Sequence, residues 1–300
     1  MTTGKPGQTT KPGALGRVTF LDGRGELPLL EISTPWSTAE IYLHGAQVTH
    51  FKKHDEPPLL FLSQCSRFAD GQPIRGGIPV VFPWFGQREG LGQHGFARVK
   101  AWDLKEFAPA PDGSVSVRLR LPACPEAAGF PPFTADYLVT VSQSLTLQLI
   151  ITNQSKDAEF TFENCLHSYF EVGDVTAISL SGLKGLNYLD KVAHFVEETE
   201  TRDALRIASE VDRIYLNTTG TVEILDPRLG RRIRVEKQGS ASTVVWNPWI
   251  AKSRHLTDFG DEEYERMICV ESGNVASNSI SLAPGATSTL TVKLSTETLK

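Results

Sequence analysis

Residues Tyr137 to Thr152 read YLVTVSQSLTLQLIIT. Two strand-like runs, Tyr137–Val141 and Leu145–Thr152, stand three residues apart, the connection length of an antiparallel hairpin. Just upstream, Ser114 to Leu121 (SVSVRLRL) alternates apolar and polar side chains, until the Pro-rich stretch Pro122–Pro132 breaks it.

The same texture extends both ways along the chain. Toward the N-terminus lie strand-like Arg17–Leu21, Leu29–Ser33 and Ala39–Leu43, and after a glycine break Gly45–Phe51. Pro57-Pro58 predicts a turn leading into a strand over Leu59–Leu62, and Ser66–Asp70 one helical turn. Toward the C-terminus, Thr221–Leu225, Arg232–Val235, Thr243–Trp246, Met267–Glu271 and Thr289–Leu294 repeat the strand pattern. A further strand region over Glu159–Glu171 carries Asn164–Phe170. No helical pattern of ten residues stands out. Many short strands divided by turn residues predict an all-β fold, a large antiparallel β-sandwich with few short helices.

Composition sets outer limits. The chain has 300 residues, 40% of them hydrophobic, enough for a large core. The formal net charge is −5 without a long run of either sign, which disfavours nucleic acid and anionic membranes as partners. No apolar run reaches the roughly 20 residues of a membrane span, and the N-terminus lacks the apolar core of a secretory signal. Cys65, Cys124, Cys165 and Cys269 form no CxxC pair, so reduced thiols in a soluble cytoplasmic protein are expected. Residues 1–14 are expected to form a disordered tail, with a short targeting role as an option, and 15–296 a single β-sandwich domain. A monomer is expected.

There is no GxSxG, P-loop, GxGxxG at a strand–helix junction or HExxH. The histidines are not spaced as ligands, so the sequence indicates no metal and no cofactor. What remains is a set of ionisable residues among apolar ones. The glycine-rich stretch Arg75–Arg98 (RGGIPVVFPWFGQREGLGQHGFAR) runs apolar from Ile78 to Phe85. If it doubles back over Gly90–Gly92, Arg75 and the run Gln93–Arg98 converge, and two guanidiniums face one site suited to a phosphate or carboxylate. The alternative is two surface arginines flanking a buried strand.

Glu271 ends an apolar strand. A carboxylate desolvated there would have a pKa raised toward that of a general base, whereas one at an exposed strand end would not. His167, between Leu166 and Tyr169-Phe170, is either a general acid or a satisfied core histidine. Asp212 in VDRIY could accept hydrogen bonds from hydroxyls or pair with Arg213. Trp246 in VVWNPW could stack on a sugar ring or close a core.

The runs IRGGIPVVFPWFG, QHGFAR, ENCLHSYF, VDRIY, VVWNPW and CVESGNV, in this order, resemble the hexose-6-phosphate mutarotases (glucose-6-phosphate 1-epimerases) of the galactose-mutarotase-like fold. The resemblance spans roughly Gly16 to Leu294. It implies a galactose mutarotase-like supersandwich and an isomerase that interconverts the anomers of a hexose 6-phosphate without a cofactor. By that resemblance His167 and Glu271 would be the catalytic acid and base, Arg75, Gln93, Arg98 and Asp212 would bind substrate, and His94 would line the pocket. The alternatives are a mutarotase of unphosphorylated aldoses, which has no need of paired arginines, and a noncatalytic sugar-binding protein. One departure stands out: Gly92 occupies a place where relatives often have proline, in a short connection, which questions that loop's rigidity.

Overall fold

The computed structural model describes residues 16–299; the expected N-terminal tail lies outside the described residues. The hairpin forms as read. Phe133–Val141 pairs antiparallel with Leu145–Asn153, with Val141 opposite Leu145 across a loop in which the Ser142 N–H reaches the Ser144 carbonyl. Leu145, Leu147, Leu149 and Ile151 are fully buried and the residues between them are not. Each such side chain contributes about 1.5–3 kcal/mol relative to exposure, which pins the register, since a one-residue slip would turn all four to the wrong face.

This hairpin lies within a nine-stranded sheet that runs from Ala204–Leu205 through Ser179–Ser181, Val222–Asp226, Arg231–Gln238 and Thr287–Thr298 to the hairpin, and ends with Val115–Arg120 and Asp103–Pro109. A four-stranded meander covers Arg17–Asp22, Pro28–Ser33, Ser37–Tyr42 and Gln47–Lys53. A further sheet orders Val196–Thr199, Asn187–Asp190, Val211–Leu216, Ser242–Asn247, Met267–Asn274, Asn164–Leu166 and Val80–Val81, with Tyr169–Glu171 also paired to Met267–Asn274. Strand pairings are antiparallel. The three sheets share one apolar core, to which Ile32 and Val48, Leu147 and Val292, and Val245 and Val270 belong. The chain is therefore a large antiparallel β-sandwich with one five-residue α-helix, Trp249–Ser253, and a few 3-10 turns among the described residues.

Strand Met267–Asn274 explains its own composition. All eight of its residues are buried. Ile268 and Val270 face the shared core, whereas Met267 and Cys269 face a second cluster with Phe61, Tyr169, Trp246 and Phe259. A strand covered on both sides carries no polar alternation, so any charge on it is buried.

Two local expectations are corrected. Ser66–Asp70 is an irregular loop, not a helical turn: Ser66 Oγ takes the Arg75 N–H at 2.8 Å, while Phe68 packs on Tyr42 and under the Arg24 guanidinium. These contacts outweigh a weak helical preference. Leu59–Leu62 forms only isolated bridges, Leu60 to Phe170 and Leu62 to Gly76. The preceding prolines offer carbonyls but no N–H, and the Arg231 guanidinium takes both carbonyls, with that of Glu171.

Candidate active site

The motif Arg75–Arg98 does double back. Gln87–Arg88 pairs with Leu91–Gln93, and Phe82 bridges Gly95. Gly95 (φ 69°) permits that approach: a Cβ there would lie 1.9 Å from the Phe82 carbonyl oxygen. The Gly92 connection is held without proline, because its carbonyl accepts the Trp84 indole N–H at 2.9 Å. The turn's N-terminal side is stitched to the histidine segment: the Tyr169 and His167 N–H groups donate to the Gly77 and Pro79 carbonyls. Arg75 and His167 are thus fixed by one stretch of backbone.

His167 occupies a gap in the ladder. Asn164–Leu166 and Tyr169–Glu171 both pair with Met267–Asn274 in one continuous register, Leu166 opposite Ser272 and Tyr169 opposite Cys269, while the Ser168 N–H between them turns back to the Leu166 carbonyl. That register sets His167 opposite Glu271, and its Nε2 lies 3.2 Å from Glu271 Oε1. Glu271 Oε2 accepts the Cys165 thiol at 3.5 Å. The Tyr169 ring stacks on the imidazole, 4.7 Å between centroids and 10° between planes, and Trp246 meets both rings edge-on. Arg75 donates to the Tyr169 hydroxyl at 3.1 Å and pairs with Asp258 through Nε and an Nη at 3.2 Å.

These groups line one cavity. Of the eight residues singled out in the sequence, Arg75, Gln93, His94, His167, Asp212, Trp246 and Glu271 all face it. Arg98 does not: its guanidinium donates to the Gln93 carbonyl at 2.7 Å, and its Nε is buried without a partner. Its charge still acts on the cavity groups His94 and His167. Asp212 pairs not with its neighbour Arg213, which points to the other face and binds Asp190 and Glu200, but with Lys191 at 3.1 Å and Lys252 at 3.7 Å. Lys191, Lys252 and Asp258 are the site residues that the sequence did not reveal; a lysine in a turn and one after WNPW carry no signal until the strands are in register. A larger cleft of about 640 Å³ lies under the loop Pro122–Pro132, but its one lining arginine, Arg120, is already bound to Asp136.

The electrostatics favour neutral forms. Burial, reinforced by the negative charge of Asp212, pushes the Glu271 carboxyl well above the usual carboxylate range. Burial, reinforced by the positive charges of Arg75 and Arg98, pushes His167 well below the usual imidazole range. The pair therefore holds one proton across its 3.2 Å contact. His94 is pushed well down by burial and then by Arg98; its Nδ1 accepts the Gly86 N–H, which leaves Nε2 as the protonated nitrogen. Burial opposes the Arg75 charge, but Tyr169 and Asp258 outweigh it and hold its pKa above the ordinary value. Burial pushes Arg98 down to about 10.

An acid and a base sharing a proton beside a guanidinium and an aromatic wall can pass protons to and from a small polar ligand. Comparison with known proteins narrows the class. Residues 28–295 match the family model described as aldose 1-epimerase. A Cenchrus ciliaris protein provisionally named glucose-6-phosphate 1-epimerase is 37% identical over 256 residues, covering 82% of this chain and 78% of its own. An Escherichia coli protein with the same provisional name is 35% identical, covering 82% and 83%. The crystal structure of a provisionally named mutarotase from Salmonella typhimurium superposes with a TM-score of 0.85 at 30% identity, over 95% of this chain and 94% of that one.

Proposed function

The chain belongs to the aldose 1-epimerase family, a family of isomerases, and on that premise we propose that it interconverts the α and β anomers of a hexose 6-phosphate, glucose 6-phosphate foremost. The observation that carries this reading is the buried 3.2 Å contact between His167 and Glu271 in a cavity that Arg75 also lines.

Anomer exchange removes the O1 proton, places a proton on the ring oxygen O5 and opens the C1–O5 bond to the aldehyde. The sugar enters between the paired side chains, with O1 at Glu271 and O5 at His167. In the bound complex the shared proton lies on His167. Glu271 takes the O1 proton as His167 gives its proton to O5, and closure on the other face after C1–C2 rotation reverses both transfers. Ring opening converts a carboxylate and an imidazolium into a carboxylic acid and a neutral imidazole. Burial favours that neutral pair, so the desolvation that raises the Glu271 pKa and lowers that of His167 also supports the open-chain intermediate. Asp212, held in place by Lys191 and Lys252, accepts from sugar hydroxyls, and Trp246 offers an apolar wall. The 6-phosphate lies against Arg75, which shares its donors with Asp258, and His94 Nε2–H and Gln93 complete that side; Arg98 adds charge from behind.

A second reading has its own support. Arg75 is already engaged by Asp258 and Tyr169, an arrangement that an unphosphorylated hexose would leave intact. Magnetisation-exchange NMR separates the two. Fast α to β exchange of glucose 6-phosphate, slow exchange of glucose and loss of the former in Glu271→Gln are expected. Equal rates for both sugars would favour the unphosphorylated substrate. Rates no faster than buffer for either would leave a sugar-binding protein.

A further inference from the structure

Cys269 has no part in the proton transfers above, yet its side chain belongs to the same constellation. Cys269 and Glu271 stand two apart on one strand and so share a face, and Tyr169, two residues after His167, lies directly opposite Cys269. One donor atom each from His167, Cys269 and Glu271 lie within 4.8 Å of one another, and all three residues are buried. We propose that these three side chains form a binding site for a borderline-soft divalent cation such as Zn²⁺, and that the ion and the sugar exclude each other.

Zinc–ligand bonds of about 2.0–2.3 Å at tetrahedral angles put neighbouring donor atoms about 3.3–3.6 Å apart. The His167–Glu271 separation of 3.2 Å is already close to that edge. The sulfur closes by at most about 1.2 Å, within reach of a side-chain adjustment. Imidazole, thiolate and carboxylate are a donor set that zinc and cobalt accept, and two anionic ligands neutralise the ion's charge in a site that disfavours net charge. The cavity leaves the fourth position to water. Spacing along the sequence hides the set, because its histidine comes from a distant segment between two other strands.

The strength is limited by what surrounds it. His167 Nδ1 is buried without a partner, whereas a dedicated metal site fixes that nitrogen with a hydrogen bond. Arg75, whose charge reaches His167, adds repulsion. Both features make the site weaker than a dedicated metal centre, as befits an inhibitory one. Exclusion follows because the ion occupies the His167 nitrogen and Glu271 oxygen that the proposed proton transfers require, and to that extent it rests on the function proposed above.

The test uses the full chain carrying Cys65→Ser and Cys124→Ser, which leaves only the two buried thiols. Co²⁺ titration should give a thiolate-to-cobalt charge-transfer band saturating at one ion per chain, and Zn²⁺ should bleach it. Cys269→Ser should lose the band, weaken Zn²⁺ at least about tenfold against a chromogenic chelator, and keep its anomer exchange, now less sensitive to zinc. Cys165→Ser should keep the band. Absence of the band with millimolar Co²⁺, or its survival in Cys269→Ser, would overturn the site. A band that forms while anomer exchange continues undiminished would uphold the site, overturn the exclusion and remove His167 and Glu271 from the chemistry.

Discussion

Glu271 keeps a carboxyl in a place that disfavours its charge, and the cost has a sign that pH reveals. Its folded-state pKa lies above the ordinary 4.5, so its contribution to stability is best below that pH and is lost as pH rises through the raised value. His167, depressed below 6.5, contributes in the opposite sense, and loses its contribution as pH falls through its folded-state value. Glu271→Gln removes only the first effect. Its thermal midpoint should exceed that of the parent at pH 7 to 8, with the gap shrinking toward pH 4; calorimetry across that range would refute the assignment if the gap stayed constant. The same shifts widen the active range. The pair gains a second proton only below the usual histidine range and loses its last only above the usual glutamate range, so kcat/KM for anomer exchange should not fall as pH drops through 6.5. A single ionisation at 6.5 would show His167 titrating as if in water. At the other end of the cavity, Arg75→Gln should raise KM for glucose 6-phosphate roughly 10- to 100-fold, the loss of one sheltered charge-assisted contact, and leave free glucose nearly unaffected. Arg98→Ala should do less, since that guanidinium does not line the cavity.

Between elements, Arg231 does what no strand does. From the strand Arg231–Gln238 its buried guanidinium takes the carbonyls of Pro57, Pro58 and Glu171, and so ties the nine-stranded sheet to the loop and strand that carry the site. Arg231→Met fills much of the space but strands three acceptors, and should cost about 2–4 kcal/mol in denaturant unfolding with an unchanged m-value. A loss below about 0.5 kcal/mol would mean that water replaces the arginine. Nothing in the sequence singles this residue out, because its partners are backbone atoms of distant segments. By contrast the hairpin Phe133–Asn153 is legible because loop length and apolar period point the same way. Leu59–Leu62 looks like a strand and forms only bridges, since its backbone bonds are divided among Phe51, Gly77, Tyr169 and Glu171 and follow no single partner strand. In the site, residues inside dense motifs were legible, and those brought in by register were not. Lys191 reaches Asp212 because Asp190 lies opposite Arg213, a pairing that no local pattern encodes.

At the scale of the whole molecule, a net charge of −5 surrounds a cavity lined by Arg75, Lys191 and Lys252. A sugar phosphate meets a repulsive surface with an attractive mouth, so salt has two opposed effects. The Debye length is about 8–10 Å at 0.1–0.15 M salt, which screens the distant surface while leaving the half-buried cations effective at close range. Raising ionic strength from 0.02 to 0.15 M should therefore change kcat/KM for glucose 6-phosphate less than threefold and that for glucose not at all; a tenfold fall would mean that long-range steering governs capture. The strand Met267–Asn274 has one more consequence, and it concerns time. It holds Glu271, while His167 arrives on a segment roughly a hundred residues earlier, and the two meet only when the antiparallel ladders on either side of His167 lock in one register. A chain that has collapsed but paired these strands one residue out of step places Ser272 or Val270 where the carboxyl belongs. Such a species would be compact, fluorescent and silent. During refolding, recovery of anomer exchange should trail the tryptophan signal, which makes turnover a clock for the last long-range pairing rather than for collapse.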